Sequence, residues 1–246
     1  MTMHVLIVHG HPEPQSFNGA LTRQAVATLE RSGHAVEVSD LYAMKFKAVA
    51  DADDYVERED PDYLRIDREQ THAHNTQCVT PDVRVEQDKL GRADLVILQY
   101  PMWWFSMPAI LKGWADRVFT RGFAYLPGRK YDTGMLRGKL AMLSITTGTS
   151  VDTYAPDGID GALLDVLWPV HNGLLRYSGF DVLTPFVTHM PGRLTTEQRA
   201  GALARYDDRL RALDSVPRLF FHPADDYGPD ERLRPEVRPR SGFQHR

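Results

Sequence analysis

Three short stretches of this 246-residue chain hold most of its distinctive chemistry. The first, residues 9–18 (HGHPEPQSFN), ends where a helix begins. Ser16 or Asn18 can cap that helix, and the free N–H groups of its first turn, helped by the helix dipole, favour a phosphate. Neither GxGxxG nor GxxxxGK[ST] is present, which disfavours a Rossmann dinucleotide site and a P-loop. Capped helix starts are common, and His11 alone reads as an ordinary polar loop residue. The second stretch, residues 101–108 (PMWWFSMP), sets two tryptophans and a phenylalanine between stiffening prolines. Rings held there suit stacking on a flat heteroaromatic ligand, or covering a sheet end or a subunit contact. The third, residues 146–154, opens with TTGTS, whose small side chains let backbone N–H groups approach a carbonyl or ring nitrogen.

Hydropathy shows how these stretches are held. Residues 4–8 (HVLIV) are a continuous apolar run, the pattern of a strand buried on both faces, and residues 95–100 (LVILQY) and 140–145 (LAMLSI) are further strands. Residues 35–38 (AVEV) add a short strand and residues 180–187 a fifth. Helices are expected over 20–32, where Leu21, Ala25 and Leu29 share a face before Gly33, and over 81–90, opened by Thr80 and Pro81. Others are expected over 109–119, over 159–177 with an interruption at Pro169, and over 195–213. Residues 51–77, dense in Asp, Glu, Arg and His, read as a solvated excursion with short helices at most.

This alternation predicts an α/β fold, a doubly wound, flavodoxin-like, five-stranded parallel sheet of order 2-1-3-4-5 with helices on both faces. In that order the strands feeding the three stretches are neighbours. The stretches then meet at the switch point where open α/β sheets bind ligands. A phosphate-binding helix start, an aromatic platform and a polar edge together outline a flavin site. One domain is expected over residues 1–213. The tail, 214–246, is rich in proline with balanced charge and is expected to pack on the domain or a partner subunit.

Bulk properties exclude several classes. With 42% hydrophobic and 25% charged residues and a net charge of −4, nothing draws the whole molecule to nucleic acid or an anionic membrane. No apolar run is long enough for a membrane span, and the start does not resemble a signal peptide. Cys78 is the lone cysteine, which fits a cytoplasmic protein. There is no Ser/His/Asp set and no paired carboxylates. His72, His74 and Cys78 lack a strong metal spacing, so no metal is expected.

Several motifs go further. His11 followed by Phe17, Asn18 and Ala20, SDLYAM over 39–44, AILKGW over 109–114, SITTG over 144–148, LWP over 167–169, and Gly179-Phe180-x-Val182-Leu183 stand out. Together they resemble the NAD(P)H:quinone reductase (DT-diaphorase) family over residues 4–211. The resemblance implies a homodimer with one FAD per subunit and active sites at the subunit interface. It implies ping-pong hydride transfer from NADH or NADPH to a quinone-like acceptor. By position, His11, Phe17, Asn18 and Ala20 would hold the flavin phosphates and neighbouring groups. Pro101, Met102, Trp104 and Phe105 would lie along the isoalloxazine, with Thr146, Thr147, Gly148 and Thr149 at its polar edge and Tyr154 at its pyrimidine side. Arg199 would approach the adenine half, favouring FAD over FMN. Tyr154 and Asp160 would be catalytic, and Trp104, Phe105, Tyr125 and Tyr177 would meet substrate.

Three positions depart from the family pattern. Asp160 stands where long members have a histidine. Ionised beside a reduced, anionic flavin it would repel, so it must point away, be protonated or have another role. Pro127 replaces a second gate tyrosine, which reshapes the substrate pocket, and Arg65 falls near the place of an adenine-contacting glutamine. The alternatives are an FMN-dependent azo, nitro or biosynthetic quinone reductase, and a non-catalytic flavin-binding regulatory subunit.

Overall fold

In the computed structural model, which describes residues 2–240, the apolar runs form the middle of a parallel sheet. β1 (His4–His9), β3 (Leu95–Pro101) and β4 (Leu140–Thr147) lie side by side, and β2 (Ala35–Asp40) flanks β1. The helices are α1 (Phe17–Arg31), α2 (Ile66–Thr76), α3 (Pro81–Arg92), α4 (Ala109–Val118), the short α5 (Leu163–Val166) and α6 (Trp168–Val170), and α7 (Thr196–Arg211). Successive strand residues serve opposite layers, as a pleat requires. Leu6, Val8, Val96 and Leu98 pack with Leu111, Trp114 and Val118 of α4, whereas Val5, Ile7, Leu95 and Ile97 pack with α1 and α7. Covering both faces explains why these strands are largely apolar on both faces rather than alternating. The register sets His9 beside Gln99 and Pro101 beside Thr146, so the three chemical stretches leave the sheet at one edge.

The expected fifth strand over 180–187 divides in two. β5 (Asp181–Val182) and β6 (Phe186–His189) each pair with β4, giving six strands in the order β2-β1-β3-β4-β5 with β6 also on β4. Pro185 has no N–H to give the ladder. The Thr184 N–H donates instead to the Pro217 carbonyl at 2.9 Å, and the Leu219 N–H to the Val182 carbonyl at 2.7 Å. The segment after α7 thus lies along this sheet edge.

The long helix expected over 159–177 starts only at Leu163 and passes beyond Pro169 into a π-helical turn, His171–Arg176. Proline cannot donate to the preceding turn, and a wider helical turn accommodates that loss. Nor is 51–77 a merely solvated excursion. Glu69 on α2 is fully buried, accepting from the Glu59 N–H at 2.8 Å, the Asp60 N–H at 3.2 Å and Arg58. Its charge folds the 58–60 backbone onto α2, because a buried carboxylate must be hydrogen-bonded. Further along, the Phe221 ring meets that of Trp168 tilted at 49°, and the Arg176 guanidinium lies over the Tyr131 and Phe221 rings while donating to the His222 carbonyl. Residues 241–246 of the tail lie outside the described residues. Among the described residues no helix is long and apolar enough to cross a membrane.

Candidate active site

A cavity of about 640 Å³ opens over the C-terminal ends of β1, β3, β4 and β6, within the usual range for small-molecule sites. Its floor begins at α1. Ser16 caps that helix by accepting the Gly19 N–H at 3.1 Å, while Asn18 turns inward instead. Asn18 donates to Thr146 Oγ1 and accepts from Gln99 Nε2, both at 2.9 Å, joining α1, β3 and β4 in one buried chain. Gly19 makes the approach of the 10–16 loop feasible, because a Cβ there would stand 2.2 Å from the Pro14 carbonyl oxygen. The Phe17 and Asn18 N–H groups have no partner among the described residues. The first turn carries no acidic side chain, so its positive dipole end is uncompensated.

The aromatic stretch forms a tight turn anchored at both ends. Met102 and Met107 are buried, and the Met102 N–H donates to the Thr146 carbonyl at 2.8 Å. Between them the backbones of Trp103 and Ser106 exchange two hydrogen bonds, of 3.1 and 3.0 Å. Trp104 and Phe105 are left in the left-handed region, at φ 51° and 59°. Such conformations cost about 1–3 kcal/mol each outside glycine and gather at functional sites. The turn thrusts Trp104 out to 95% exposure and Phe105 to 51%. Trp103 instead turns to the cavity, its ring 6.4 Å from that of His11. The Glu13 N–H donates to His11 Nδ1 at 3.0 Å, which leaves Nε2 as the protonated nitrogen of the neutral ring.

The polar wall comes from β4 and the turn after it. Thr146, Thr147 and Gly148 line the cavity, and the Gly148 and Thr149 N–H groups are unpaired among the described residues. Thr147 Oγ1 donates to the Thr149 carbonyl at 2.8 Å and shapes the turn. Tyr154 ends a 3-10 turn, with its ring centroid 6.0 Å from that of His189. The loop then folds back through Gly158, where a Cβ would meet the Asp152 and Thr153 carbonyl oxygens at 2.4 Å. That closure lets the Asp160 N–H donate to the Thr153 carbonyl at 2.9 Å.

Of the residues singled out from sequence, His11, Phe17, Asn18, Pro101, Met102, Thr146, Thr147, Gly148 and Arg199 line this cavity. Ala20, Thr149, Trp104, Phe105, Tyr154 and Asp160 lie outside its lining. Tyr125 and Tyr177 are elsewhere, meeting edge to face at 5.5 Å in a separate depression with Phe119 and Asp116. Burial raises the Tyr125 phenol, so it stays protonated. Gln15 and the 190–193 turn (MPGR) were missed by sequence reasoning, and within the aromatic stretch it is Trp103, to which no individual role was given, that faces the cavity. Met190, at φ 45°, follows β6, and Arg193 joins Arg199 on the cavity wall; Arg199 Nε donates to the Pro191 carbonyl at 3.1 Å. Pro-Gly directly after a strand was the available signal for that turn.

A family model described as a flavodoxin-like fold matches residues 3–210. The chain is 44% identical over 211 residues to ribosyldihydronicotinamide dehydrogenase (quinone) of Homo sapiens, covering 85% of this chain and 91% of that one. It is 42% identical over 220 residues to NAD(P)H dehydrogenase (quinone) 1 of Cavia porcellus, covering 89% and 80%. A solved structure from Klebsiella pneumoniae, provisionally assigned as a quinone reductase, superposes with a TM-score of 0.94 at 41% identity over 99% of both chains.

Proposed function

Because the chain belongs to the NAD(P)H:quinone reductase family of flavodoxin-like proteins, we propose that its cavity binds FAD and that it reduces quinone-like electrophiles with NADH or NADPH. It is a flavin-dependent NAD(P)H oxidoreductase of the quinone-reducing kind. The observation that carries the cofactor reading is the donor set. Unpaired N–H groups of Phe17 and Asn18 on one side and of Gly148 on the other line one cavity, with the unpaired Thr149 N–H next to Gly148 just outside the lining. A phosphate suits the first pair and the carbonyl edge of a flavin the second. Arg193 and Arg199 extend the lining beyond the start of α1, which supports a dinucleotide flavin over FMN.

A bound flavin would supply the ring that takes a hydride from the nicotinamide and gives it to the quinone. The chain's residues do the rest. Pro101, Met102 and Trp103 form one wall, and Trp104 and Phe105 offer an aromatic face where donor and acceptor take turns, giving ping-pong kinetics. The Gly148 and Thr149 N–H groups, with Tyr154, steady negative charge, while Asp160 shapes the loop through its backbone. Tyr125 and Tyr177 reach the aromatic face from a second copy, so the working unit is a homodimer. Reliance on reduced nicotinamides fits a cytoplasmic enzyme.

Denaturing the purified yellow protein should release about one FAD per chain, identified by mass. Stoichiometric FMN would overturn the dinucleotide assignment, and a colourless protein that cannot be reconstituted would overturn the cofactor reading. Sedimentation should give a two-chain particle across a wide concentration range. A stable monomer with full turnover would refute the shared site.

A further inference from the structure

His189, the last residue of β6, belongs neither to the family motifs nor to the cavity lining, yet it touches two groups assigned to the polar wall. Its Nδ1 lies 2.8 Å from Thr147 Oγ1. The Thr147 hydroxyl gives its proton to the Thr149 carbonyl, so towards His189 this oxygen accepts. The imidazole must therefore carry its proton on Nδ1. Burial holds its pKa below the ordinary histidine value, consistent with a neutral ring. The ring also interacts with the Thr149 backbone and meets Tyr154, 6.0 Å between centroids with planes 34° apart. One side chain thus links the 147–149 turn to the Tyr154 ring, where otherwise the Thr153 hydroxyl, hydrogen-bonded to Thr149 Oγ1 at 3.0 Å and to the Ser150 carbonyl at 2.9 Å, ties the following turn to it. That turn needs support, because Gly148 and Thr149 are exposed. Donors stabilise charge well only when they are held in place beforehand.

We propose that His189 is a positioning residue for flavin reduction: its Nδ1–H fixes the 147–149 turn and its ring backs Tyr154, so that amide donors and phenol act as one unit. The proposal rests on the cofactor reading above, and its test uses flavin-loaded dimer. Asparagine can place a donor where Nδ1 stands, whereas phenylalanine keeps a ring and loses the donor. His189→Phe should load flavin normally but shift the flavin midpoint potential to more negative values and slow its reduction by nicotinamide by about tenfold, the scale of one net hydrogen bond. His189→Asn should recover most of both losses. Thr147→Val removes the acceptor, and combined with His189→Phe it should do little further damage, because the two groups share one interaction.

A loaded His189→Phe protein with wild-type potential and rate would overturn the proposal. So would equal losses in the Phe and Asn variants, or fully additive losses in the double variant. Wild-type protein that binds no flavin would overturn the cofactor reading and this proposal with it, an outcome distinct from the other three.

Discussion

Arg117→Met is expected to lower the melting temperature by roughly 6–20 °C, the equivalent of about 3–5 kcal/mol in a domain of this size. The Arg117 side chain on α4 is 1% exposed. It donates to Asp54 at 2.9 Å, to Asp82 at 2.7 Å and to the Lys47 carbonyl at 2.9 Å. Methionine matches its stem but leaves the Asp54 carboxylate, 7% exposed, with only Lys47 at 3.1 Å to offset its charge. Breaking a buried ion pair from one side is costly for that reason, whereas loss of an exposed pair such as Lys112–Asp116 should barely register.

The same variant should change the pH profile. Burial alone would raise the Asp82 pKa, but the hydrogen bond from Arg117 and its guanidinium charge outweigh it and hold the carboxyl below its usual value. A depressed folded pKa contributes stability above the unfolded carboxylate value, about pH 4, and that stability is lost as pH falls through the lower folded value. The wild type should therefore lose stability below about pH 4 more steeply than Arg117→Met, and the two melting curves should draw together in acid. Thermal melts from pH 7 down to about pH 2.5 test both statements. An unchanged melting temperature at neutral pH would sink the first, and parallel acid slopes the second.

Asn18→Leu should weaken flavin binding by tenfold or more and cost about 2–4 kcal/mol of stability. The leucine nearly fills the space but can neither donate to Thr146 nor accept from Gln99, stranding two buried polar groups. Each unsatisfied group costs about 1–3 kcal/mol, and the start of α1 shifts to let them reach water. Because the Phe17 and Asn18 N–H groups sit on that turn, stability and affinity fall together. Asn18→Asp keeps the acceptor for Gln99 and should recover part of both. Flavin titration of the apoprotein beside thermal melts reads the two effects. Tight binding with a wild-type melting temperature would show that the buried chain does not support the site.

The features legible in the sequence are those set by local periodicity. HVLIV, LVILQY and LAMLSI are apolar at nearly every position, broken only by His4, Gln99 and Ser144, as strands covered on both faces require, and three such strands in parallel bring residues 9–18, 101–108 and 146–154 to one edge. Ser16 at the start of α1 is equally local, since a cap and its N–H lie three residues apart.

Contacts between distant segments settled the rest. Nothing in PMWWFSMP, which lacks glycine and asparagine, announces two left-handed residues; burial of Met102 and Met107 on either side forces that turn and decides that Trp103, not Trp104, lines the cavity. The strand over 180–187 divides because Pro185 withholds an N–H and the segment from Pro217 to Leu219 takes the place of ladder partners. Glu69 is buried because the 58–60 backbone folds over it, and composition alone would leave it in water. Arg193 and His189 joined the site through the pairing of β6 with β4, some forty residues away in sequence. Periodicity reports which face of an element is apolar, but not which distant backbone group satisfies a donor, and that pairing placed these residues at the site.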